Sequence, residues 1–245
     1  MNDVMKLMQE HSSVRSYTAE KINPSLLEEL IASGQAAASS SFIQAYSIIR
    51  VVDPKKRSII AEVAGGQSWI IEAAEFMVLC ADMQRINYAS HKNGEGELKG
   101  YTEHFIAATV DTALMAQNIL LAAESAGLGG VFIGGIRNNP KILAETLALP
   151  DHVYPAFGLC LGWPEQKNSV KPRMPVSTIL HQDSYNLEAV AAKVDAYDEA
   201  FAEYYGSRTS NAKSSDWSAP TTRAVQGKRR EHMKDFLQAR GFLKC

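Results

Sequence analysis

Short β-branched or aromatic runs dispersed among helical stretches, in a 245-residue chain that is 46% hydrophobic and 21% charged, predict one large domain of the α/β or α+β class. Three observations carry that class. The runs YSIIRVVD (Tyr46 to Asp53), AEFMVLCA (Ala74 to Ala81), VFI (Val131 to Ile133) and AFGLCLGW (residues 156 to 163) are short, apolar and bounded by polar residues or glycine, which is the strand signature. Asn23 and Pro24 ahead of Leu26, Leu27, Leu30 and Ile31 read as an N-cap and first helical position. Glu103 to Ser125 reads as one long helix that Gly127 ends. Five or so strands among helices are expected, without an internal repeat.

Taken in order, the N-terminus MNDVMKLMQEHSS carries early acids and no apolar core, so a secretory signal is not expected and a cytoplasmic location is. A serine run follows the first leucine-rich helix. Residues 85 to 102, with HKNGEGELKG inside, are expected to form an exposed excursion. Phe105 to Ala126 is the most apolar long stretch, yet it holds Asp111, Gln117, Asn118 and Glu124, which a bilayer centre disfavours. This reads as a buried helix and not a membrane span. Apolar or alanine on most faces, it needs covering on several sides, and a second copy of the chain is the expected cover. Asn139 and Pro140 start a further helix that stops before Pro150. From Asn186 the chain is helical again, interrupted by a polar loop over residues 208 to 222.

The net charge of −2 hides an asymmetry: residues 206 to 245 hold nine Lys/Arg against three Asp/Glu, while the preceding residues hold 16 against 24. The cations are spread through a polar loop without interleaved stacking aromatics, so a nucleic-acid partner is not expected. Cys80, Cys160 and Cys245 form no C-x-x-C pair and no spacing suited to zinc. No metal is expected, and Cys80 and Cys160 read as buried small hydrophobes.

Hydrolase, kinase and P-loop templates find no match. GLGGVFIGG (residues 127 to 135) is glycine-rich, but Phe132 stands where a dinucleotide fingerprint needs its third glycine. Glycines on both sides of a strand serve either tight turns or the close approach of a flat ligand to free N–H groups. HSSVR (residues 11 to 15) joins imidazole, hydroxyls and guanidinium, a set that suits a phosphate or a solvated helix end. In Lys171-Pro172-Arg173 the proline extends Lys171, so the two cations can project together. ASSSFIQ (Ala38 to Gln44) and GGQSW (Gly65 to Trp69) offer hydroxyls and amides for the polar edge of a heterocycle.

In this order and spacing, HSSVRSYT, SSSFIQAYSIIR, GGQ, AAEFMVLCAD, DTALMAQNILLAAESAGLGGVFIGGIRNN, FGLCLGWP and KPRMP, with YDEAFAEYY and the later Trp217-Ser218, resemble the oxygen-insensitive nitroreductase and NADPH-flavin oxidoreductase family, type A branch. The resemblance covers nearly the whole chain. It implies an α+β fold with a central, mainly antiparallel sheet flanked by helices, one domain over residues 1 to 245 with a basic helical C-terminal extension from about residue 186, and an intertwined homodimer. It also implies one non-covalent FMN per interface. On the matching positions, His11, Ser12, Ser13 and Arg15 form the first flavin segment, with Arg15 at the phosphate, and Lys171 and Arg173 the second phosphate contact. Ser39 and Gln67 match contacts to the ribityl chain and ring edge. Phe132, Ile133, Gly134 and Gly135 match the strand whose backbone faces the ring, an N–H of Gly134 or Gly135 pointing to N5. Ser41 and Phe42 match the substrate pocket, and Arg208 the loop arginine for the NADPH 2'-phosphate. The chain departs from the family at Ser12, often arginine, and at residues 212 to 215, usually more basic.

The implied activity is ping-pong hydride transfer from NADPH to nitroaromatics, quinones, azo compounds or free flavin. The flavin carries the hydride, so no catalytic side chain is required. Two alternatives accompany it: a dedicated flavin reductase supplying a monooxygenase, and a non-catalytic flavin or nucleic-acid binder.

Overall fold

A computed structural model describes residues 1–166, 168–207, 216–227 and 230–245. Among these, one four-stranded sheet has the order β1-β2-β4-β3, antiparallel throughout. Its strands are β1 (Tyr46–Arg50), β2 (Glu75–Asp82), β3 (Gly129–Ile133) and β4 (Val153–Gly162). This is an α+β fold, with four strands where about five were expected. The central pair β2 and β4 is buried almost end to end because helices cover both faces, so side chains on alternate positions enter two different cores. Phe76, Val78, Cys80, Val131, Ile133 and Cys160 point into one. Met77, Leu79, Leu159 and Leu161 point into the other.

The first core is closed by α3 (Pro54–Val63), α4 (Trp69–Glu72), the 3-10 turn η2 (Gly134–Asn138) and α7 (Pro140–Thr146). The second is closed by α2 (Pro24–Gln35) and α6 (Thr102–Ser125). The chain opens on α1 (Asp3–Gln9), and the 3-10 turn η1 (Ser40–Phe42) leads into β1. Asn23 caps α2 as expected, its side chain accepting from Ser25 N at 2.9 Å. Among the described residues α6 is the helix long and apolar enough to cross a membrane. Here it packs on the sheet through Met115, Ala116, Ile119, Leu120 and Ala123, while Ile106, Val110 and Leu114 stay exposed at four-residue spacing.

Several expected boundaries move for identifiable reasons. β1 ends at Arg50 because Asp53 already caps α3, accepting from Lys55 N at 2.8 Å ahead of Pro54. The expected excursion over residues 85 to 102 begins as a helix, α5 (Gln84–Lys92). Asp82 accepts from Gln84 N at 2.8 Å to start it, and no helix breaker occurs before Gly94. β4 begins three residues early and carries a bulge: Leu79 pairs with Phe157 but Cys80 with Pro155, since proline has no N–H for the ladder.

The chain divides into two compact units, residues 1–168 with 230–245, and residues 169–229. Of the stretch read as a C-terminal extension, residues 230–245 thus belong with the first unit. There α11 (Met233–Ala239) and Phe242 complete a third core with Phe105 and Tyr154. The second unit holds α8 (Val176–Ile179), α9 (Val190–Gly206) and α10 (Ser218–Gly227). The expected loop over 208 to 222 gives way to helix at Ser218. Asp198 on α9 accepts from Trp217 N at 2.9 Å and Ser218 N at 2.7 Å, and Asp216 accepts from Ala219 N at 2.9 Å. Pro220 falls in the first turn, where its missing N–H costs nothing. The Ser218 hydrogen bonds hold the Asp198 carboxyl below its ordinary range.

Burial pushes the Cys80 thiol up to about 12 and raises Cys160 also, whereas Cys245 is exposed. Iodoacetamide at about pH 8 should therefore modify only Cys245 in the native protein and all three after denaturation. Intact mass reads the adducts, and a second fast native adduct would contradict the closed sheet core.

Candidate functional site

Three of the stretches singled out from the sequence meet at one edge of the sheet. β3 is an edge strand, and residues 11 to 15 run beside it. Val14 N donates to Gly130 O at 3.0 Å, and a Cβ on Gly129 would stand 2.5 Å from Val14 Cγ2. Tyr17 reinforces the segment by donating from its hydroxyl to Val14 O at 2.7 Å. Burial drives that phenol far above its usual range, which keeps the donor protonated.

Next to the buried Val14, Arg15 is exposed, and its guanidinium carbon lies 5.8 Å from the centroid of the Trp69 ring. That is a cation–π contact which steadies the guanidinium without occupying its N–H fork. Trp69 opens α4 directly after Gly65-Gly66-Gln67-Ser68. Gln67 Nε2 donates to Ala64 O at 2.7 Å, closing that turn. The turn in its turn presses on Gly135. A Cβ at Gly135 would fall 2.5 Å from Ala64 O and 2.7 Å from Gln67 Nε2, so only glycine lets η2 and the Gln67 turn touch. Gly66 is glycine for a different reason: its φ is +75°, with nothing within 4 Å of an added Cβ.

Around this junction the donors accumulate. Ser12 and Ser13 are half-buried, and Ser13 O accepts from Asn168 Nδ2 at 3.1 Å. His11 Nδ1 meets Glu124 Oε1 at 2.5 Å near the end of α6, which commits one ring nitrogen and fixes the imidazole. Phe132 stands partly exposed on β3, edge-on to Phe157 at 5.3 Å, while Ile133 is buried. Gly134 and Gly135 begin η2, and the first N–H groups of such a turn have no intrahelical partner. Trp69 Nε1 is buried without a hydrogen-bond partner among the described residues. A planar cation, two hydroxyls, a carboxamide and backbone amides beside aromatic faces suit a ligand that joins a phosphate to a flat polar heterocycle.

Ser39, Ser41 and Phe42 are not brought to this junction. Their loop leads into β1, the opposite edge strand, and it hangs on Asp111 of α6, which accepts from Ser40 N at 2.9 Å and Ala45 N at 3.1 Å. Asp111 and Glu124 are thirteen residues apart in α6, which is about 20 Å of helix. Within one chain the candidate residues therefore form two separate clusters. Lys171 and Arg173 are exposed in the second unit, where Tyr197 Oη donates to Pro172 O at 2.8 Å between them. Arg208 lies outside the described residues.

Sequence reasoning missed Glu124 and the anchoring role of Asp111. A signal for Asp111 existed in a carboxylate set in the middle of an alanine-rich apolar helix. Among the described residues, no group of three His, Cys, Asp or Glu could hold a metal ion. A separate cleft of about 790 Å³, lined by Pro140, Lys141, Ala144, His232, Phe236 and Arg240 among others, contains none of the candidate flavin, coenzyme or acceptor residues.

Comparison with known proteins matches residues 8–163 to the nitroreductase family and residues 171–245 to the nitroreductase family C-terminal domain. The chain is 41% identical over 245 residues to an NADPH-flavin oxidoreductase of Vibrio harveyi, covering 100% of both. It is also 41% identical to an oxygen-insensitive NADPH nitroreductase of Salmonella typhimurium, covering 99% of both. The solved structure of a Bacillus subtilis nitroreductase superposes with a TM-score of 0.94 at 35% identity, over 99% of this chain and 100% of that one.

Proposed function

The chain belongs to the nitroreductase family, and from that premise we propose that it is an FMN-dependent NADPH oxidoreductase whose flavin is held at the β3 edge. The observation that carries the site is the meeting of His11–Arg15, Gln67 and Phe132–Gly135 at one junction. The donor set there fits FMN. Arg15 meets the phosphate with a two-pronged guanidinium, steadied from behind by Trp69. Ser12 and Ser13 add short uncharged donors, and His11 is held ready by Glu124. Gln67 and the amides of Gly134 and Gly135 donate to the polar edge of the ring. When bound, FMN supplies a ring that accepts hydride from NADPH and passes it to an acceptor such as a nitroaromatic, quinone, azo compound or free flavin. The chain's own task is to bind, orient and stabilise charge by fixed donors, for which no side-chain acid is needed. Lys171 and Arg173 come to the phosphate through the family resemblance.

The split between the Arg15 and Phe42 clusters supports a homodimer in which each flavin site takes its Ser39, Ser41 and Phe42 from the second copy. Exposed Ile106, Val110 and Leu114 on α6 provide apolar surface for that contact. NADPH as donor and reduced thiols fit a cytoplasmic enzyme acting on small molecules, without nucleic-acid or membrane partners.

The test is the visible spectrum of the purified or reconstituted protein. It should be yellow, and NADPH without oxygen should bleach it; a protein that takes up no flavin overturns the reading. Coenzyme choice is assigned to Arg208. Arg208→Ala should raise KM for NADPH, leave kcat nearly unchanged and affect NADH little, because a 2'-phosphate contact is the same in ground and transition states. Rising ionic strength should mimic the substitution, since salt screens a contact between opposite charges over about 8 to 10 Å. Equal loss with both coenzymes would remove Arg208 from this role.

A further inference from the structure

Asp111 is 1% exposed in the middle of an apolar helix, where a carboxylate is unfavourable unless hydrogen-bonded. Its two oxygens reach the same loop at two points, Oδ1 accepting from Ser40 N and Oδ2 from Ala45 N. Between those points Ser41, Phe42 and Gln44 have φ values of 46°, 56° and 49°. None is glycine, so all three hold a left-handed conformation that side chains disfavour. A second residue grips the far end: Arg85 Nη2 donates to Gln44 O at 2.9 Å and Tyr46 O at 2.5 Å, while Nη1 is tied to Asp82 at 3.0 Å. Asp111 thus takes the loop's N–H groups and Arg85 its carbonyls. The loop so held leaves Phe42 80% exposed at its tip, an orientation with no packing reward inside this chain.

We infer that Asp111, seconded by Arg85, is a positioning residue for acceptor recognition: the clamp keeps the loop in its left-handed form so that Phe42 stands as a fixed aromatic wall for planar acceptors. The inference rests on the reading above, in which Ser41 and Phe42 line the acceptor pocket. A wall that does not need ordering when the acceptor arrives binds a flat ring more tightly than a mobile one. Loss of the clamp should therefore appear in the acceptor's KM, while reduction by NADPH persists.

Asp111→Asn keeps the shape but leaves one amide facing an NH2 group instead of an oxygen. In the FMN-loaded protein, hydrogen exchange at Ser40 and Ala45 should quicken by about tenfold or more. In the holoenzyme, KM for a planar quinone should rise about tenfold while the rate of flavin bleaching by NADPH changes less than about twofold. Adding Gln44→Gly, which suits a left-handed φ, should bring the raised KM of Asp111→Asn much of the way back to the wild-type value. Faster exchange with an unchanged KM, or equal loss of quinone turnover and bleaching, overturns the inference. Should Asp111→Asn fail to fold, Arg85→Gln, on the exposed side of the loop, faces the same two criteria. A wild type that binds no flavin sinks the functional reading instead, and that outcome is visible before any variant is made.

Discussion

Arg15→Ala should loosen FMN by about tenfold to a hundredfold, because one charge-assisted contact to a phosphate is worth roughly 1.5 to 3 kcal/mol. Arg15 is exposed beside a half-buried pair of serines and braced by the Trp69 ring, so its removal deletes charge without opening a core. Fluorescence titration of the apoprotein with free FMN measures the change. Arg15→Lys should fall between wild type and alanine, since it restores the charge but not the paired donors. Arg173→Ala, measured in the same way, reports separately on the second unit's cations. Unchanged affinity in Arg15→Ala would move the phosphate away from the β3 edge.

Two inactive variants should restore each other. Arg15→Glu damages the first cluster and Ser39→Glu the second, and the anchors of the two clusters, Glu124 and Asp111, stand about 20 Å apart along α6. If each flavin site draws one cluster from each copy, a mixed dimer has one doubly damaged site and one intact site. Co-expressed with two different tags and purified through both, that dimer should show about half of wild-type turnover, although each parent shows little. Mixed dimers as inactive as their parents would mean that one chain builds the whole site. A stable, flavin-loaded monomer in sedimentation would mean the same.

Legibility in the sequence followed the range of the interactions. β2 and α6 were readable because their apolar runs are continuous and their fates depend on composition. The start of α2 was readable because Asn23 and Pro24 act within four residues. The segment 84 to 92 was hidden by its polarity: α5 buries little beyond Asn87, and its few apolar residues are outnumbered by polar ones. At Ser218 the helix start depends on Asp198, twenty residues earlier, and no local pattern announces such a partner. The same holds for the site. HSSVR, GGQ and FIGG show their chemistry residue by residue, but that Gly135 must be glycine to admit Gln67, or that Glu124 secures His11 from 113 positions away, is a property of the folded chain alone. The separation of Ser39, Ser41 and Phe42 from Arg15 belongs to this class too.

The return of residues 230–245 to the first unit bears on how the protein is made. Phe242 fills the core shared by Phe105 and Tyr154, and Lys244 N donates to Gly100 O at 2.8 Å. During synthesis the first 168 residues therefore wait with an open cavity while the whole second unit is translated, and residue 242 must be made before the first unit can close. A chain that lacks these residues leaves the third core open, so the first unit completes its packing only with residues from beyond the second unit.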